Sequence, residues 1–127
     1  MKGRVMYAAG LFKDMDEAGV AVLTLAEGLL ETELLASRLT RAEVRRQLML
    51  LAHAAEGLPQ ELRQQLPEVD WAGLQTMAKT LSGPPGTALD EALVHAVQSL
   101  VPVALLWLRL YRQNQPALFY GDAGQGA

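Results

Sequence analysis

Apolar residues recur along this chain at intervals of three and four, the spacing that lines one face of an α-helix. The first run is Leu11, Met15, Ala18, Val22, Leu25 and Leu29, with Asp14, Asp16 and Glu17 facing away. Gly19 and Gly28 have low helix propensity, and Gly28 marks the predicted end. A second run, Val44, Leu48, Leu51 and Ala55, predicts a helix over 41–56. Thr40 stands three residues before Glu43, a capping-box start, while Gly57 followed by Pro59 is a stop. Trp71, Leu74, Met77 and Leu81 form the third stripe, with Asp70 placed to cap it and Pro84–Pro85 forbidding continuation. The fourth stripe is Leu93, Val97, Leu100, Ala104, Trp107 and Tyr111 on an element starting at Thr87 or Asp90. Pro102 lies inside it and predicts a kink or a break.

Between these runs, 31–38 predicts a short helical connector, and 59–65 a short helix with proline in its first turn, ended by Pro67. Beyond Arg112 the periodicity stops and glycines accumulate, which predicts a mobile tail over 113–127 after a single domain over 1–112. No strand-like alternation and no internal repeat occurs. The expected fold is all-α: an antiparallel up-and-down four-helix bundle with short extra helices.

Composition changes this picture little. At 127 residues, half of them apolar, the chain is long enough for one core without staples. A formal net charge of −3 gives no whole-chain electrostatic footprint for nucleic acid, and the lack of cysteine excludes disulfides, thiolate metal sites and thiol nucleophiles. Two positive charges and an apolar stretch at the start imitate a signal peptide, but acidic residues follow at once with no small-residue cleavage pattern. The apolar run 100–108 is shorter than the ~20 residues of a membrane span. The expectation is therefore a soluble, cytoplasmic protein without membrane contact. Leu105, Leu106 and Leu108 make the last helix apolar over more than one stripe, which points to a second chain and a homodimer.

Candidate chemistry is sparse. His53 with Glu56, and His95 with Glu91, share helix faces, but the paired Glu-x-x-His motifs of di-metal bundles are absent, so no metal and no cofactor is expected. Arg46 and His53, seven positions apart on one helix, sit about two turns (~10 Å) from each other. Arg38, Arg41, Arg45 and Arg46 form a basic cluster among Glu31, Glu33 and Glu43. Such a cluster is either a solvated face with local ion pairs or a patch that steers RNA or an acidic partner. The glycine-proline loop 82–86 lacks the Lys and Ser/Thr of a phosphate-cradling loop, and no nucleophile elbow is present. Trp71 and Trp107 read most simply as core.

The segment 43–81 resembles the HepT-like branch of the HEPN superfamily. The resemblance rests on Leu50-Leu51-Ala52-His53-Ala54-Ala55, then Leu58-Pro59, then Pro67-Glu68-Val69-Asp70-Trp71, then Met77-Ala78-Lys79. Flanking helical patterns extend it to about 11–111. It implies an all-helical homodimer of a toxin ribonuclease family, with a minimal nucleotidyltransferase antitoxin as partner. In active members an Arg, four to six residues, His motif follows the Met, often with an Asn beside the Arg, and a Tyr two residues past the His is modified with AMP. Carried over, the Arg falls on Ala78, the Asn on Lys79, the His on Gly83 and the Tyr on Pro85; a family Glu falls on His53. The expected protein is thus a catalytically inactive member with a possible RNA or partner cleft at Arg45, Arg46, His53, Lys79 and Ser82. Two alternatives stand beside it: an active metal-independent ribonuclease using relocated residues, and a purely structural or regulatory helical dimer.

Overall fold

A computed structural model describes the backbone of residues 2–120, with side chains for 8–117 and for Phe119. Among the described residues all regular structure is helical. The elements are α1 (Lys2–Ala26), α2 (Glu31–Ala36), α3 (Arg38–Gly57), α4 (Gln60–Gln64) and α5 (Trp71–Leu81). They are followed by α6 (Thr87–His95), a π-helical turn (Ala96–Leu100), α7 (Val101–Asn114) and α8 (Pro116–Tyr120). Helix α1 packs most extensively on α3 and also meets α7 and α8, while α5 packs on both α3 and α6. The four apolar stripes close on one core, except that Leu29 lies beyond the end of α1 and is exposed. Met15, Val22, Val44, Leu48, Leu81 and Leu93 are fully buried, and among the described residues no polar or charged one is.

Several local signals act as their chemistry dictates. Gly28 adopts φ +76°, the left-handed conformation that ends α1 at no steric cost. Asp70 caps α5, its Oδ1 accepting from the Gly73 amide at 2.8 Å. Gly86, at φ +149°, leads into α6, and its carbonyl accepts the Asp90 amide at 3.0 Å.

Other expectations are corrected. The Thr40–Glu43 capping box does not form, because α3 begins earlier, at Arg38, with Ser37 as the single non-helical residue between α2 and α3. Thr40 instead accepts from the Ser37 hydroxyl at 2.9 Å, and Glu43 engages Arg46 and Gln47. The Glu that does reach back to an N-cap amide is Glu33, at 2.8 Å from the Leu30 nitrogen.

Of the kink or break expected at Pro102, the break does not occur: the helix continues through it, with a π-helical turn immediately before. Proline lacks an N–H and its ring crowds the carbonyl four residues back; the wider π-helical turn just before it lets the helix pass. The extra residue in that turn shifts the inward face. Val101, Leu105 and Leu108 become core, while Val97 and Trp107 are only partly buried. Residues 87–114 therefore make one helix of 28 residues, long and apolar enough to cross a membrane by length and composition, with 44% of its most apolar window buried in the bundle. Counted alone, the run 100–108 is too short for this criterion, whereas the helix that carries it extends over 87–114.

The chain also stays helical past the expected boundary at Arg112, to Asn114 and again through α8. Phe119 is 6% exposed and its ring lies 4.2 Å from that of Phe12, between centroids. Of the expected mobile tail, 121–127 lies outside the described residues.

Candidate functional site

The loop between α5 and α6 and the adjoining turns of α5 hold the positions that the resemblance singled out. Ala78 is half-buried and Lys79 exposed in the last turns of α5; Ser82 ends the helix, and Gly83 and Pro85 follow in the loop. The Ser82 hydroxyl donates to the Ala78 carbonyl at 2.8 Å.

Helix α5 is fixed at both ends by contacts outside itself. At its start the Trp71 indole N–H donates to two carbonyls, Leu66 at 2.9 Å and Arg63 at 3.1 Å. This folds the Pro67–Trp71 corner tightly onto the end of α4. At the other end the Arg45 guanidinium, from α3, donates to the Leu81 carbonyl through Nε at 2.8 Å and through Nη2. A cation on a free helix-terminal carbonyl both satisfies it and complements the helix dipole.

Between α3 and α5, closed at one end by α4, lies a groove of about 560 Å³. Met49, Ala52, Trp71 and Leu74 give it an apolar floor, and His53, Arg63, Gln75, Lys79 and Ser82 a polar rim. Four expected residues, His53, Ala78, Lys79 and Ser82, are thus brought together. The remainder are not. Arg45 is occupied at Leu81, and Gly83 and Pro85 do not line the groove. Arg46 pairs with Glu43 through two bonds of 2.6 and 2.9 Å. Its guanidinium first, then the Gln47 amide, hold the Glu43 carboxyl down at about 2 against an ordinary 4.5, and Arg46 is itself shifted up. Arg41 lies 3.7 Å from Asp90. Three of the four arginines in the basic cluster therefore have partners within the chain, two of them carboxylates and one a backbone carbonyl.

His53 Nδ1 is 4.0 Å from Glu56, with both side chains largely exposed. Among the described residues no three His, Asp or Glu side chains gather as a metal would need. Sequence reasoning missed Arg63 and Gln75. Neither belongs to a periodic stripe or a motif, and the one signal for Arg63 is its place on a proline-bounded short helix eight residues before Trp71. Compared with family models, curated proteins and solved structures, the chain gives no significant match to any of them, so the reading of this groove rests on its own residues.

Proposed function

We propose that this chain is a HepT-like protein that no longer cleaves RNA, an antiparallel up-and-down bundle acting as a cytoplasmic homodimer that binds a minimal nucleotidyltransferase or RNA. The observation that carries the reading is the combination at α5. The Pro67–Trp71 corner is anchored by a doubly bonded indole, while the turns beyond it present Ala78 and Lys79. Metal-free RNA cleavage needs one group to move protons at the 2′-hydroxyl or the leaving oxygen and one cation for the phosphorane charge. A methyl at position 78 and a hydrogen at 83 supply neither. Lys79 keeps a charge but not the planar fork that arginine offers to phosphate. Losing the acid/base costs ~10²–10⁴ in rate, and losing the charge stabiliser about 10²–10³ more where the two act independently. The short turns between helices support the up-and-down path. The inward stripe of the 28-residue helix, packed on α1 and α5, supports a soluble bundle over a membrane span.

A relocated active site has one observation in its favour, since His53 and Lys79 share the groove. Purified protein incubated with structured and single-stranded RNA separates the two readings. No cleavage is expected; cleavage that disappears in His53→Ala or Lys79→Ala establishes the relocated site instead. With an inert parent, Ala78→Arg combined with Gly83→His tests whether the motif alone was lost. A Cβ at Gly83 approaches the Thr80 carbonyl oxygen to 3.3 Å, so the second change asks only a small backbone adjustment.

A further inference from the structure

We infer that the groove between α3 and α5 is a binding site for a small anion carrying a flat ring, of the nucleoside monophosphate class. Its polar ends are unspent. Among the described residues neither Lys79, Gln75 nor the Arg63 guanidinium has a hydrogen bond or an ion pair within the chain, and Arg63 Nε is buried without a partner. Elsewhere the arginines of α3 at 41, 45 and 46 and Arg112 of α7 are each satisfied inside the fold. Arg63 lines the groove, and a charged donor bonds a ligand oxygen more strongly than a neutral one.

Charge selects the class. In a chain of net charge −3, this groove brings Arg63 and Lys79 together, and its single lining carboxylate, Glu56, lies 4.0 Å from His53. Arginine offers a phosphate or carboxylate two parallel donors, and lysine adds a point charge. The Ser82 hydroxyl spends its proton on the Ala78 carbonyl, which leaves its lone pairs free to accept from a ligand hydroxyl.

Shape narrows it further. An inorganic anion would leave the floor of Met49, Ala52, Trp71 and Leu74 wet, whereas a volume of about 560 Å³ suits a ligand with a ring as well as a charge. The Trp71 indole is held by its own two hydrogen bonds, so its position is set before any ligand arrives.

Trp71 also provides the measurement. With Trp107→Phe it becomes the only indole, since the chain has two tryptophans. Its fluorescence is titrated at low salt with adenosine 5′-monophosphate, with adenosine and with inorganic phosphate. A saturable change with the monophosphate is expected, with binding of adenosine and of phosphate each at least about tenfold weaker. Arg63→Ala and Lys79→Ala should weaken the monophosphate by about tenfold or more, as loss of a charged hydrogen bond does, and Arg109→Gln should not. Calorimetric titration of the unaltered chain gives the same comparison should Trp107→Phe disturb folding. No saturable binding of the monophosphate, equal binding of adenosine, or binding indifferent to Arg63→Ala overturns the inference. Each of these leaves RNA inertness and dimerisation standing, because neither is read in this titration.

Discussion

A methyl group built on Gly19 would sit 2.8 Å from Leu105 Cδ2 and 3.1 Å from its Cγ, so this position of α1 has no room for a side chain against α7. Gly10, on the same helix, has nothing within 4 Å. The two should respond in opposite ways. Gly19→Leu overpacks the contact and is expected to destabilise by about 1–3 kcal/mol, while Gly10→Ala gains about 1 kcal/mol of helix propensity. Chemical denaturation of the two variants checks both signs. Glu43 offers a second test at this scale. Its folded pKa, about 2, lies below the ordinary 4.5, so its pairing with Arg46 stabilises fully above pH 4.5 and is lost as pH falls toward 2. The pair is exposed and the effect correspondingly small. Glu43→Gln is expected to lower the melting temperature slightly at pH 7, with the gap to the parent closing by pH 2, as thermal melts across that range would reveal.

At the scale of elements, the helical stripes were legible because apolar spacing survives whatever the tertiary context does. Val44, Leu48, Leu51 and Ala55 are all buried as their spacing requires. Helix starts were less legible. Thr40 and Glu43 have the right residue types, but a cap depends on where the chain leaves the preceding helix, and here α2 hands over at Ser37. The last helix shows the same limit, since a register shift near Pro102 comes from a turn type and not from composition. Helix α8 was missed because a five-residue helix carries no period; it packs on α1 and α7, and among its described side chains the buried one is Phe119, against Phe12. Phe119→Ala is therefore expected to destabilise by about 3 kcal/mol, judged from other buried phenylalanines. A variant that melts with the parent would show that the Phe12 contact contributes nothing.

On the scale of the whole molecule, the groove was only half visible in the sequence. His53, Lys79 and Ser82 drew notice through a motif, yet what gathers them is the packing of α3 on α5, and Arg63 enters only because Trp71 ties α4 to the same corner. Contacts across thirty or more residues leave no local trace. The second chain expected from the apolar last helix is narrowed rather than shown. Leu105 and Leu108 are consumed by the core, and the exposed large apolar residues on α7 are Val103 at 45% and Leu106 at 51%. If the protein is a homodimer through this face, light scattering at micromolar concentration gives twice the chain mass, and Leu106→Glu gives a monomer with its helical spectrum intact. A parent that scatters as a monomer ends that reading.

The π-helical turn at Ala96–Leu100 means that the last helix holds one residue more than an unbroken α-helix would need to join its two inward faces. Deleting a residue from a packed helix normally rotates everything beyond it by about 100° and destroys the core. Here a deletion should do the reverse. Removing the exposed Gln98, together with Pro102→Ala, would bring Leu93, Val101, Leu105 and Leu108 onto a common α-helical face without the wider turn. The shortened chain is expected to fold to the same helical content and to melt within a few degrees of the parent, whereas removing the buried Ala104 instead should leave it unfolded. Length at this one place is thus a spare quantity, and the proline beside it marks where the chain keeps it.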